Sequence, residues 1–248
     1  MERKYVRAVE LSGTIDEGSY LNYVPAVRHL LKTGRLEFSK SVTFLVGENG
    51  TGKSTLLEAI AVACGFNPEG GSRNFSFSTR NTHSELHEAL TLVRSAYPKD
   101  GYFLRAESMY NAASYIDDLD SELPEEFRIS TKSYGGSLHT KSHGESFLAL
   151  VQNRFSGSGI YLLDEPEAAL SPMRLLTLMC EIDELVKKES QFIIATHSPI
   201  LMAFPGADIL EISEDGMRSV PYKETEHYTV TRRFLEHPEQ MLRYLLEE

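Results

Sequence analysis

Nine consecutive residues constrain this chain more than anything else in it: Gly47-Glu48-Asn49-Gly50-Thr51-Gly52-Lys53-Ser54-Thr55. The spacing of Gly47, Gly52, Lys53 and Ser54 fits G-x-x-x-x-G-K-[ST] at every fixed position. Upstream, Val42-Thr43-Phe44-Leu45-Val46 is a short, β-rich apolar run that predicts a buried strand. Downstream, Ser54 to Ala63 holds no breaker and predicts a helix, with Gly65 placed to end it. Strand, glycine loop and helix is the arrangement this motif requires, and it commits the chain to an α/β fold. Gly50 and Gly52 let the backbone curl so that successive N–H groups converge on phosphate oxygens. The helix N-terminus adds the positive end of its dipole. Lys53 supplies a point charge for β- and γ-phosphates, and the Ser54 hydroxyl is a ligand for Mg²⁺. The bland alternative, a glycine turn before an exposed helix, leaves the agreement of strand, spacing, Lys and Ser unexplained.

A second apolar run, Gly159 to Leu163, ends in Asp164-Glu165-Pro166. A strand that delivers two carboxylates to its C-terminal tip puts them where open α/β sheets bind ligands. Asp164 suits the Mg²⁺ shell, directly or through water. Glu165, one residue on, suits a general base for an attacking water. Without a phosphate loop upstream, the same triplet would read as a solvated acidic turn. Two further segments fall in a fixed order around it: Ser142-His143-Gly144-Glu145 before, and Ala195-Thr196-His197-Ser198 after.

The four segments together resemble the ABC-type ATPase family, strongly over about residues 40–65 and 140–205. Glu48-Asn49, within G-E-N-G-x-G-K-S-T, is similar to the soluble branch of SMC-like and RecF-like heads rather than to transporter subunits. The chain also resembles small bacterial predicted ATPases of the AAA/ABC class. The resemblance implies a head with a mostly parallel core sheet, N-terminal antiparallel strands and a helical lid inserted at about 66–140. It implies ATP and Mg²⁺, and a head-to-tail homodimer in which each ATP sits between one P-loop and the other subunit's Ser142 loop. Ser142 and Gly144 stand where the family has its Ser-Gly-Gly-Gln signature, with His143 and Glu145 departing from it. A carboxylate at Glu145 repels phosphate unless screened or turned away. It can instead start the helix predicted over Ser146 to Phe155. Ala168-Ala169-Leu170-Ser171 corresponds to the D-loop, and His197, after the predicted strand Gln191 to Ala195, to the switch histidine that hydrogen-bonds the γ-phosphate. The expected Q-loop Gln is missing, and Asn74, Ser76 and Ser78 stand as substitutes with nothing to choose between them.

The chain's 248 residues suit one large α/β domain spanning 1–248. No apolar run reaches spanning length, and the charged start at Met1-Glu2-Arg3-Lys4 has no apolar stretch after it, so neither membrane insertion nor a signal peptide is expected. Cys64 and Cys180 lack any metal spacing and fit a reducing cytoplasm. A net charge of −11 argues against broad nucleic-acid binding. It leaves room for a local basic face built on Arg28, Lys32, Arg35, Arg73, Arg80, Lys132 or Lys141, against the plainer reading of a mixed solvated surface. A DNA or protein partner in genome maintenance or phage defence follows from family analogy alone. A transporter nucleotide-binding subunit and a noncatalytic ATP sensor are the competing readings.

Elsewhere, Tyr5–Leu11 and Leu36–Phe38 predict strands of an antiparallel sheet. Tyr20 and Tyr23 lie where a ring stacks on adenine, or else packs within a loop. Ser84–Ala96 predicts a helix stopped at Pro98, Tyr102–Arg105 a strand, Glu107–Asp118 a helix, and Thr229–Leu246 one closing amphipathic helix. His83 and His87 share the i, i+4 spacing of zinc ligands, yet Ser84 stands where a metalloprotease needs Glu.

Overall fold

The computed structural model describes residues 4–73, 84–107 and 142–246, with single positions 114, 120, 124, 128, 130 and 136 between them. The core is a six-stranded sheet in the order β5-β6-β7-β3-β8-β9. Its strands are β3 (Val42–Gly47), β5 (Asp100–Arg105), β6 (Gly159–Asp164), β7 (Gln191–Ala195), β8 (Asp208–Ser213) and β9 (Gly216–Ser219). All neighbours run parallel except β8 and β9, which form an antiparallel hairpin. Every residue of β3, β6 and β7 is buried, as expected where both faces of a parallel sheet are covered. Alternation then splits one strand between two cores. Val42, Phe44 and Val46 join the core that holds Phe147, Leu178 and Ile182. Leu45 joins the other, with Leu30, Leu56 and Ile60.

A three-stranded antiparallel sheet, β2-β1-β4, lies beside this one. It comprises β1 (Val6–Leu11), β2 (Arg35–Glu37) and β4 (Leu90–Arg94). One buried amide stitches the two sheets together. Gln191 Oε1 accepts from the N–H groups of Tyr5 (2.7 Å) and Val6 (2.9 Å), and its Nε2 donates to Val6 O (2.8 Å).

The helices are α1 (Pro25–Thr33), α2 (Lys53–Ala63), α3 (Leu86–Ala89), α4 (His143–Arg154), α5 (Pro172–Lys187), α6 (Pro199–Met202), α7 (Glu226–Glu236) and α8 (Pro238–Leu246). The helix after the phosphate loop ends as the sequence predicts, with Gly65 at φ 88°. Two expectations fail. Residues 84–96 are not one helix, because the chain leaves α3 after one turn and becomes β4. Leu90 and Leu92 then face β1 in register with Leu11 and Val9, and this antiparallel pairing outweighs the local helical spacing. The closing segment begins earlier, at Glu226, and is two helices. His237 sits at φ −139°, ψ 55°, because Pro238 excludes a helical conformation before it. The expected helix over 107–118, the Q-loop substitutes Asn74, Ser76 and Ser78, and His83 lie almost wholly outside the described residues. No described helix is long and apolar enough to cross a membrane.

Candidate functional site

Parallel register builds the site. Across adjacent strands Arg105 pairs with Asp164, Asp164 with Ala195, and Ala195 with Leu45. The residues that follow each pair therefore emerge at one edge of the sheet: the phosphate loop after β3, Glu165 after β6, and His197 after β7.

The loop has the strand–turn–helix form that its sequence demands. Gly47 lies at φ 145°, and a Cβ there would sit 2.3 Å from the carbonyl oxygen of Ile212 in β8. Gly52 lies at φ 92°, where a Cβ would meet Val24 Cγ1 at 2.2 Å. Both positions thus exclude a side chain by conformation and by space. Thr51 closes the turn through Oγ1 to Glu48 O (2.8 Å), leaving Glu48, Asn49 and Gly50 exposed at its crest. Lys53 is buried, and its Nζ donates to Gly47 O (2.8 Å) and Glu48 O (3.0 Å). Burial lowers its pKa, against the pull of Glu165, Asp164, Glu48 and Glu167. Thr55 lies in the first turn of α2 and is partly buried.

Ser54 Oγ donates to Asp164 Oδ1 at 2.9 Å, so the expected magnesium pair is in contact. Burial pushes the Asp164 carboxyl up to about 6 despite Arg105, whose Nε lies 3.5 Å from Asp164 Oδ2. Arg105 also donates to Glu58 Oε2 (2.8 Å). A hydroxyl and a carboxylate, both oxygen donors and next to a phosphate loop, fit a hard cation that shares its shell with phosphates and water. Glu165 is a non-glycine residue in the left-handed region, at φ 48°, ψ 54°. Such backbone costs on the order of 1 kcal/mol and collects at functional sites. Its side chain is 37% exposed, with Oε1 3.6 Å from Nε2 of His197.

The Ser142 turn departs from expectation in an informative way. Ser142 N (2.9 Å) and Oγ (2.6 Å) both donate to Glu145 Oε2, a capping box that starts α4. Glu145 therefore does start the helix, and its charge is also answered: Arg174 of α5 lies 3.2 Å from Oε1 and donates to Ser142 Oγ at 3.2 Å. These bonds, led by that from the Ser142 hydroxyl, hold the Glu145 carboxyl below its ordinary range. Gly144 is buried, and a Cβ there would sit 2.6 Å from Arg174 Nη1 and 2.9 Å from Ala169 O. The 142–145 turn thus rests on Ala169 and Arg174 of its own chain, with Ser142 and His143 exposed.

Three contributors carry no motif. Glu167 accepts from Thr196 Oγ1 (2.8 Å) and from the backbone N–H of His197, which sets the path of the chain beyond β7. Burial raises its pKa. Arg105 was legible only as a basic residue ending a strand. His227, near the start of α7, reaches His197 Nδ1 at 2.9 Å. A cleft of about 1070 Å³ opens between residues 47–51 of the loop and the wall formed by β8, β9 and the first turn of α7. The rings of Tyr20 and Tyr23, 62% and 79% exposed, precede Val24 and α1, so neither is packed away in a loop. Among the described residues, no three His, Cys, Asp or Glu side chains cluster as a metal cage.

Topology, loop and the Ser54–Asp164 contact define the class: a P-loop nucleotide-binding domain. Comparison with known proteins narrows it. A family described as "AAA domain" matches residues 27–112, and one described as "AAA domain, putative AbiEii toxin, Type IV TA system" matches 146–203. The galactose/methyl galactoside import ATP-binding protein MglA of Clostridium perfringens is 28% identical over 196 residues, covering 71% of this chain and 35% of the relative. The ribose import ATP-binding protein RbsA of Halalkalibacterium halodurans is 23% identical over 172 residues, covering 62% of this chain and 33% of the relative. The chain thus spans about a third of the length of these curated relatives. Among solved structures, cbiO1 of Clostridium perfringens, part of the ABC transporter complex cbiONQ, has a TM-score of 0.49 at 16% identity, covering 99% of this chain and 100% of that one. The SMC head domain of Thermotoga maritima has a TM-score of 0.44 at 17% identity, covering 88% and 99%. By its ordered motifs and these sequence matches the chain is similar to ATP-binding P-loop domains of the AAA and ABC classes.

Proposed function

We propose that this domain binds ATP with Mg²⁺ at the phosphate loop and hydrolyses it in a head-to-tail homodimer. One observation carries the reading: Ser54 donates to Asp164 at 2.9 Å, and Glu165, next in the chain, faces His197 across 3.6 Å. Residues 47–55 cradle the phosphates. Lys53 leaves its carbonyl partners for β- and γ-phosphate oxygens, and Ser54 and Asp164 hold the ion. The magnesium, when bound, neutralises charge on the phosphate oxygens. Glu165 takes the proton of the attacking water, and His197 donates to the γ-phosphate. An exposed tyrosine at position 20 or 23 stacks on adenine. Ser142 and the N–H groups around Gly144 complete the site of the other subunit. The exposure of Ser142 on a turn buttressed by Ala169 and Arg174 supports that role. The free, exposed thiol of Cys180 supports a reducing, cytoplasmic setting.

The output we favour is non-transporter: a nucleic-acid or protein partner is moved or released as the dimer closes and opens, in DNA maintenance or phage defence. Glu48-Asn49 and the toxin–antitoxin description of one matching family support it. The import ATP-binding relatives favour a second reading, a transporter subunit. Turnover by the purified chain that rises with DNA supports the first, while turnover that rises only with a membrane partner supports the second.

Ser142→Arg tests the composite site. Each monomer still binds ATP, while dimer closure and hydrolysis fail. Mixing Ser142→Arg with Lys53→Ala restores part of the turnover, because one site of that heterodimer joins an intact lysine to an intact serine. Full turnover by Ser142→Arg alone would reduce the 142–145 turn to a helix cap.

A further inference from the structure

Two imidazoles from separate elements meet beside the site. His197 Nδ1 lies 2.9 Å from His227 Nε2, with ring centroids 5.1 Å apart and planes tilted by 53°. The other nitrogens, His197 Nε2 and His227 Nδ1, are buried and have no hydrogen-bond partner. His227 is held by the start of α7. Thr225, fully buried, caps that helix through Tyr228 N (3.3 Å), and Glu226 N donates to Glu211 Oε1 of β8 (3.3 Å).

Two neutral rings sharing one N···N hydrogen bond have two arrangements. If His197 donated, its Nε2 would be a bare lone pair turned toward the Glu165 carboxylate, and His227 Nδ1 would carry a buried N–H with no acceptor. If His227 donates, His197 Nε2 carries the N–H toward that carboxylate, 3.6 Å away, and His227 Nδ1 is left as an unused acceptor. A buried N–H without an acceptor is rarer than an unused acceptor, because it loses its hydration with nothing in return. An N–H beside a carboxylate attracts where a lone pair repels. Both effects select the second arrangement. The groups facing His197 are Lys53 from α2, Glu48 from the loop, Glu165 after β6 and His227 from α7, while Glu167 holds its backbone N–H. Burial first, then Lys53 and His227, lower its pKa and keep the ring neutral.

We propose that His227 is the positioning residue of the switch histidine: it donates to His197 Nδ1, locks the Nε2–H tautomer, and so presents a donor to the transferred phosphate. The proposal rests on the ATPase reading for the role of His197, but the tautomer itself does not. The same contact ties α7, and through it β8, to the bond-breaking edge of the sheet.

Long-range ¹H–¹⁵N spectra of the histidine-labelled protein at neutral pH test the lock without any substitution. The expected result is protonated Nε2 and bare Nδ1 at His197, and the reverse pattern overturns the proposal. In turnover, His227→Ala lowers kcat about tenfold, as expected when a residue that orients a reacting side chain is lost, and shifts the KM for ATP less than about twofold. His227→Gln, whose amide donates from the place of Nε2, recovers to within about threefold of the native rate. Unchanged kcat in His227→Ala, with loss in His197→Ala, overturns the proposal and spares the ATPase reading. Full kcat in His197→Ala removes His197 from the reaction, and with it the phosphate-facing half of the proposal.

Discussion

The two ends of β6 carry polar clusters of opposite character. Near its start, Asp100 is saturated. It accepts from Arg154 Nη1 (2.8 Å), Tyr161 OH (2.8 Å), Ser156 N (3.0 Å) and Ser156 Oγ (2.9 Å), and Tyr161 OH itself accepts from the N–H groups of Ser156 and Gly157. Burial alone would raise the Asp100 pKa, but these bonds outweigh it and leave the carboxyl below its ordinary value. At the other end, Asp164 has an arginine too, yet burial wins and the carboxyl rises to about 6. Around it Arg105 Nε, His197 Nε2 and His227 Nδ1 are buried without hydrogen bonds. Both clusters pair an aspartate with an arginine across β5 or α4. What separates them is unused hydrogen-bonding capacity, which the first spends within the fold and the second keeps for a ligand.

That contrast can be broken by experiment. Glu165→Gln should have the largest effect: turnover falls about 10²–10⁴-fold while ATP affinity is kept, because the amide keeps the shape and loses the base. With ATP and Mg²⁺ it should trap a dimer visible by light scattering, and its melting temperature should match the native protein. A monomer at high protein and ATP concentration would count against the shared site. Asp100→Ala should do the opposite, lowering stability by about 2–4 kcal/mol by removing the acceptor shared by Arg154, Tyr161 and Ser156 while leaving kcat per folded molecule intact. Because the folded pKa of Asp100 lies below 3.8, its contribution is present above that pH and is lost as acid protonates the folded state. Acid-melting curves should therefore lose part of their slope in the variant; an unaltered slope would place that acid sensitivity elsewhere.

Asp164→Asn gives the smallest and sharpest comparison. The folded pKa of Asp164, about 6, lies above its unfolded value near 3.8, so the stability linked to its proton is present below about 4 and lost as the pH rises toward 6. With magnesium chelated, the amide should flatten this decline and leave the protein more stable at neutral pH, by on the order of 1 kcal/mol. Denaturant titrations at pH 4 and 7 decide the matter: no gain at pH 7 would mean that Arg105 offsets burial after all.

The site was more legible in the sequence than the periphery, and for a local reason. The phosphate loop, Asp164-Glu165 and Thr196-His197 each follow a short apolar run, and parallel strands of that kind announce both the sheet and its ligand-binding edge. Residues 84–96 misled because Leu86, Ala89, Leu90 and Val93 mimic helical spacing. The deciding partner, β1, is remote in sequence. Sequence spacing predicts one closing helix across Pro238 because the amphipathic pattern continues on both sides of the break. Glu145 is out of place beside phosphate by sequence alone, because the Arg174 that answers its charge is distant along the chain. His227 gave no signal, since it lies before the predicted helix and a lone histidine has no spacing to read.

The row from Arg105 through Asp164 and Ala195 to Leu45 has a consequence for how this chain tolerates insertions and deletions. One residue added to β6 sends Asp164 through to the opposite face of the sheet. Two added residues restore the face but overshoot by about 7 Å. That is more than twice the 2.9 Å that separates Ser54 Oγ from Asp164 Oδ1. Neither change can be absorbed by rotating a side chain. The strands therefore act as a ruler with no vernier, and length variation in a working copy of this domain is confined to the segments between them.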